Sequence, residues 1–321
     1  MKPRIIGSLI ISMIMLVISS VVFAQQEPQF THYMFNTSSI NPGAVGSLPE
    51  FTATALARQQ WIDLKDEHGN RVAPETYLIS IESPVKILKG GLGITIMQDK
   101  TGYEKNFSIR LAYGYQMQLG AGKLGIGIQG NFMNKSIDMS MLYGVDPNDP
   151  RLADKGSESS FFTDIGGGIY YRVPDKLYAG ISSINILENT KSIGKGSDPI
   201  GYQLKRTYFF TAGYEFPVNS EKNLTFIPSC LFKTDFAGMQ FDLTGTLKYH
   251  NKFWGGITYR VKGEPAAMVG VIINNFQIGY GYDLPTNKLG TLGSHEIMLR
   301  YSLKMIEKKK PKMYYRNTRY L

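Results

Sequence analysis

From Phe51 onward the chain alternates apolar and polar residues with period two, and turn residues break the alternation every ten or so positions. Between Phe107 and Leu119, the residues Phe107, Ile109, Leu111, Tyr113, Tyr115, Met117 and Leu119 fall on one face. Ser108, Arg110, Ala112, Gly114, Gln116 and Gln118 fall on the other. The next segment repeats this, with Leu124, Ile126, Ile128 and Phe132 opposing Gly125, Gly127, Gln129 and Asn131. Tyr208 to Phe216, Met239 to Tyr249 and Phe276 to Leu284 follow the same rule. No stretch longer than a turn or two repeats at 3.6. The pattern predicts fourteen strands, near 51–63, 76–85, 90–99, 105–118, 122–137, 160–171, 175–186, 204–216, 222–233, 237–249, 252–261, 265–273, 275–284 and 294–304.

Such alternation fits a soluble sandwich, with the apolar face inward, or a membrane barrel, with the apolar face on lipid. The barrel is favoured by strands of about ten residues, enough to cross a bilayer at a tilt, and by Tyr and Phe near strand ends. The connections also sort by length. Short turns fall at 86–89, 120–121, 172–174, 217–221, 250–251 and 274, and the opposite side carries long ones at 64–75, 138–159, 187–203 and 285–293. Fourteen is even, as bacterial single-chain barrels require. The expected fold is therefore all-β, an antiparallel transmembrane barrel over residues 51–304. Lipid supplies no hydrogen-bond partners, so its last strand should pair with its first.

Composition adds the compartment. Residues 5–23 form the one long apolar run, preceded by Lys2 and Arg4 and followed by Val22-Phe23-Ala24 before Gln25. This reads as a secretory signal peptide over 1–24; the other reading is an uncleaved anchor helix. The chain has 321 residues, one Cys, four His, 34 Gly, 20 Tyr and 17 Phe, with 35 Lys+Arg against 26 Asp+Glu. These counts exclude a disulfide scaffold, a Cys/His zinc module and a disordered chain. The calculated pI is about 9.3 and mean hydropathy is −0.16. Export removes nucleic acid from the possible partners.

The inward-facing set carries charge of both signs: Arg110, Lys233, Lys248, Arg260 and Arg300 against Asp164, Glu215, Asp242, Asp283 and Glu296. Balance of this kind points to a filled or partner-bearing lumen rather than to an ion-selective eyelet. Gly125, Gly127 and Gly130 spell G-x-G-x-x-G, but no helix follows, so no nucleotide cradle is expected. His32, His68, His250 and His295 are scattered and read as interfacial or loop residues. Cys230 reads as a small hydrophobe beside Phe226 and Phe232. No catalytic or metal-binding motif appears, and no cofactor is implied.

Several segments resemble a known family. PQFTHYMFNTSSINPGAVGS at 28–47 followed by RQQW at 58–61, GLGITIMQDKTG at 91–102, TYFFTAGYEF at 207–216 and IPSCLFK at 227–233 are similar to the PorP/SprF family of type IX secretion outer-membrane proteins of Bacteroidetes. FWGGITYR at 253–260, IGYGYDLPTNKL at 278–289 and SHEIMLRY at 294–301 continue the likeness. The resemblance implies an outer-membrane barrel that works with the type IX apparatus. Its implied partners are periplasmic ring proteins, a peptidoglycan-binding lipoprotein, or the C-terminal signal domain of a large secreted adhesin or enzyme, as in gliding motility.

Two segments outside the strands are candidates for partner binding. Pro28, Phe30, Tyr33, Phe35, Asn41 and Pro42 lie in an aromatic, proline-punctuated stretch, residues 25–50, too irregular to span lipid and expected at the periplasmic mouth or in the lumen. The periplasmic tail, 305–321, carries Lys308, Lys309, Lys310, Lys312, Arg316 and Arg319; counted with Lys304 and against Glu307, it holds seven minus one, or +6. The leading functional reading is a non-enzymatic anchor or adaptor in type IX secretion. The alternatives are a passive channel or transporter and a membrane hydrolase.

Overall fold

The structure is a computed structural model that describes residues 27–141, 156–193, 200–219, 223–261, 263–286 and 291–305. The expected signal peptide over 1–24, most of the 138–159 connection and the basic tail from 306 lie outside the described residues.

Alternation becomes strand throughout. Along the chain run β1 (Glu50–Gln59), β2 (Glu75–Val85), β3 (Gly90–Thr101), β4 (Glu104–Leu119), β5 (Gly122–Asp138) and β6 (Ser157–Val173). Next come β7 (Leu177–Ile184), β8 (Thr190–Ile193), β9 (Ile200–Gln203), β10 (Thr207–Tyr214) and β11 (Phe216–Asn219). The last six are β12 (Leu224–Thr234), β13 (Met239–Tyr249), β14 (Phe253–Arg260), β15 (Ala266–Ile273), β16 (Phe276–Asp283) and β17 (Ser294–Lys304). Every wall pair is antiparallel and sequential, with β7 pairing to β10 across the β8–β9 hairpin. β10 and β11 share one wall position, because both pair with β12 in the same register, Gly213↔Ser229 continuing as Phe216↔Phe226. Fourteen wall positions result, each at its sequence-predicted place.

The sheet closes on itself. β1 and β17 pair from Glu50↔Lys304 to Gln59↔His295, and β10 and β12 pair from Tyr208↔Thr234 to Gly213↔Ser229. Closure leaves no open edge in the wall and rules out the sandwich. The outer face is apolar and uncovered: Ile128 is 68%, Ile257 70% and Val269 61% exposed. In water such a band would drive association; in lipid it is solvated. No described helix is long and apolar enough to cross a membrane, and the chain crosses with strands.

One mouth has only short turns, at 86–89, 120–121, 174–176, 220–223, 250–252 and 274–275. The opposite mouth carries the long connections 60–74, 139–156, 185–206 and 284–293, among shorter ones. By the usual rule the short turns face the periplasm. Within the connection expected at 187–203, β8 and β9 form a separate hairpin. Its Ile193, Ile200 and Tyr202 pack with Ile137 and Met139 at the long-loop mouth. Four-residue strands carry too little alternation to be seen in sequence.

Candidate functional site

The core of this barrel is inside its lumen, where residues 27–49 pack against inward side chains of the wall. The segment lacks period-two alternation and makes three short 3-10 turns, Tyr33–Phe35, Thr37–Ser39 and Pro42–Ala44. Asn41 caps the third, its Oδ1 accepting from the Gly43 amide at 2.9 Å, with Pro42 at the first helical position where a missing amide costs nothing. From the long-loop half the segment descends to the short-turn mouth and there turns up into β1.

In the long-loop half it is held by buried charge. Glu296 on β17 accepts the backbone amides of Thr31 and His32, each at 2.8 Å, and lies 2.6 Å from His32 Nδ1. The Thr31 hydroxyl donates to Asp283 at 2.8 Å. Arg58 joins the two carboxylates, with Nη2 at 2.6 Å from Asp283 and Nη1 at 3.2 Å from Glu296. Arg260 reaches Asp283 at 2.7 Å and Asp242 at 3.4 Å, and Gln29 donates to Asp242 at 2.5 Å. Across the lumen Arg110 holds the Glu27 carboxylate at 2.8 Å, while Lys233 donates to the Glu27 carbonyl at 2.9 Å. Charges removed from water need such partners to persist.

Below lies an apolar layer. Leu56, Leu78, Met97, Trp254, Met268 and Met298 point inward, and all are at least 93% buried against Phe30, Met34 and Phe35 of the segment. The Phe35 and Trp254 rings lie 4.7 Å apart. On the opposite wall Tyr33 packs with Phe209 and Leu231, and its hydroxyl donates to Thr244 at 3.2 Å. Inward apolar side chains would be poorly placed in a water-filled pore. The cavity left beside Pro28, Phe30, Tyr33 and Lys233 is about 20 Å3, room for about one water.

Nearer the short-turn mouth, glycine replaces side chains. A Cβ on Gly127 would sit 2.2 Å from the Pro42 carbonyl carbon, one on Gly125 2.0 Å from the Gly43 oxygen, and one on Gly91 2.5 Å from Gly46 Cα. Backbone therefore lies on backbone. The G-x-G-x-x-G run thus has a use for its first two glycines: they form a trough for Pro42 and Gly43. Gly130 faces outward, where a Cβ would meet only the Phe132 ring at 3.5 Å.

The predicted site residues divide. Phe30, Tyr33, Phe35, Asn41 and Pro42 all lie in the lumen against the wall, and Pro28 lines the small cavity above them. Arg110, Asp242, Arg260, Asp283 and Glu296 join the network around the segment. Asp164 instead accepts the amides of Ile165 and Leu187 at 2.7 and 2.9 Å, fixing a loop. Glu215 stands 4.0 Å from Lys248, away from the segment, and Arg300 is half-buried on β17. Lys308, Lys309, Lys310, Lys312, Arg316 and Arg319 lie outside the described residues. The histidine expectation needs one correction: His32 is fully buried on Glu296, because its segment enters the lumen. Sequence reasoning missed Arg58 as well. Its parity with the inward Thr52 and Thr54 was the available signal.

The long-loop mouth is braced separately. Asp63 accepts from the Thr291 hydroxyl and amide and from the Leu292 amide, which holds its carboxyl down at about 2. Burial pushes the Glu264 carboxyl up, against the Trp61 indole that donates to it at 2.9 Å.

A family model for the type IX secretion system membrane protein PorP/SprF matches residues 22–301. The chain belongs to the PorP/SprF family. Membership and the lipid-facing barrel together place this PorP/SprF protein in the outer membrane as a component of type IX secretion. No curated protein matches it in sequence. Solved barrels are similar at low identity. The CymD monoaromatic hydrocarbon channel shares 11%, with a TM-score of 0.49, over 87% of this chain and 94% of that one. The Ralstonia pickettii toluene transporter TbuX shares 11%, with a TM-score of 0.46, over 85% and 93%. Omp33 of Acinetobacter baumannii shares 7%, with a TM-score of 0.42, over 81% and 100%.

Proposed function

We propose that this PorP/SprF protein is a non-conducting, non-enzymatic barrel that serves as an anchor or adaptor for a type IX partner. Its two mouths are then the surfaces on which a partner docks. The observation that supports this most directly is the filled lumen. The chain's own segment occupies the axis, wall side chains hydrogen-bond its backbone at Thr31, His32, Ile40, Gly43 and Val45, and the wall's inward apolar residues are covered by it. A passive channel or transporter needs a path that the segment takes up. On this reading the partner is a periplasmic ring protein, a peptidoglycan-binding lipoprotein, or the C-terminal signal domain of a large surface protein. The basic tail would meet an acidic partner in the periplasm.

The test combines two measurements on the full-length protein. In a planar bilayer it should stay silent, and on mild extraction from native membranes a ring component or a large surface protein should co-elute. A steady open conductance with nothing co-eluting would replace the adaptor by the channel.

A further inference from the structure

Residues 27–47 pair with no wall strand, yet wall side chains read their backbone closely. Glu296 takes two successive amides, those of Thr31 and His32. Gln116 Nε2 donates to two carbonyls, Gly43 at 2.9 Å and Val45 at 2.8 Å. Ser182 Oγ donates to the Ile40 carbonyl at 2.7 Å. Main-chain hydrogen bonds for affinity and side-chain positions for selectivity are the general means by which proteins hold peptides.

The wall does not depend on this segment for closure. Both pairings that complete the ring, β1 with β17 and β10 with β12, lie between strands. With the segment gone, Arg58 would still face Asp283 and Glu296, and Arg260 would still face Asp242, so this carboxylate cluster stays partnered, whereas Arg110 and Lys233 would lose Glu27 and become free to take an incoming peptide.

We propose that the lumen is a peptide-binding site, and that residues 27–47 are a ligand held in cis that can be exchanged. The class of ligand follows from the contacts. It carries a pair of free amides and an imidazole for the Glu296 carboxylate and, ten residues after Thr31, an Asn-Pro-Gly turn thin enough for the glycine trough. Asn41 adds selectivity, because its Nδ2 donates to the Ile169 and Ile181 carbonyls of the wall at 3.1 and 3.3 Å. The inference adds to the adaptor reading without resting on it, since a closed barrel that exchanges no peptide could still anchor a partner.

The experiment uses the full chain with a protease site inserted after Ser47, cut once the barrel has assembled in detergent or vesicles. A fluorescent synthetic peptide of residues 27–47 should then replace the cut segment with saturable, one-to-one binding. A peptide carrying His32→Ala or Asn41→Ala should bind about tenfold or more weakly, as should the native peptide to a Glu296→Gln wall. Should the insertion block assembly, a chain lacking residues 28–47 supplies the second measurement, direct binding of the same peptide. Failure of the peptide to exchange or bind, or equal binding of a scrambled peptide, overturns the proposal.

Discussion

Replacing Gly127 by Ala adds one methyl group where three backbone atoms of the segment already stand: Pro42 C at 2.2 Å, Pro42 O at 2.3 Å and Gly43 N at 2.4 Å. None is the end of a flexible side chain, so the segment itself must move by an ångström or so to restore ordinary contact. Overpacking of this kind costs about 1–3 kcal/mol. If the cost is relieved by lifting the segment from its trough, the displaced population rises about 5- to 150-fold. The readout is conductance in a planar bilayer, with protease sensitivity of residues 27–47 as a second probe. Gly130→Ala on the same strand is the internal control, since its methyl would point outward into ordinary contact with Phe132. Gly127→Ala should give openings or cleavage where Gly130→Ala gives neither. Indistinguishable behaviour of the two would refute the reasoning that these glycines exist to admit the segment.

Three further outcomes are expected. Arg58→Ala removes the cation between two buried carboxylates and should destabilise the barrel by about 3–5 kcal/mol in urea unfolding, with Asp283→Ala in the same chain costing less than the sum of the singles; a loss under about 1 kcal/mol would mean that the network is dispensable. The Asp63 carboxyl should titrate near 2 by NMR, not near its ordinary 3.8. Its folded value lies below its unfolded one, so the brace to Thr291 and Leu292 holds at neutral pH and is lost as pH falls through about 2; Asp63→Asn should loosen it at pH 7. Removing residues 306–321 should weaken partner pull-down in low salt and abolish its salt dependence if the tail docks electrostatically; an unchanged, salt-insensitive pull-down would exclude that role.

Strand positions were legible because lipid on one side and a polar lumen on the other impose a strict period of two, which survives in sequence from Phe107–Leu119 to Phe276–Leu284. The candidate site was legible only in part. Asp283 and Glu296 could be assigned inward by parity, but nothing in their spacing told that Glu296 would meet His32, 264 residues away. The segment itself has no period, so its path cannot be read from its residues. One overlooked signal was apolar side chains at inward parity, Leu56, Leu78, Met97, Met268 and Met298. A wall that turns Met and Leu toward its axis announces that something dry will lie there.

Arg58 and Glu296 are cross-strand partners in the pairing of β1 with β17, and both also touch Thr31. The seam that completes the cylinder therefore assembles the seat for the chain's own N-terminal segment. A closure slipped by two residues would set Arg58 opposite Ser294 or Met298, split the ion pair and leave Thr31 and His32 with no carboxylate in reach. Seating of the segment and the register of the closing strand pair are thus one condition: the contacts that hold Thr31 and His32 exist only in the cylinder sealed as observed.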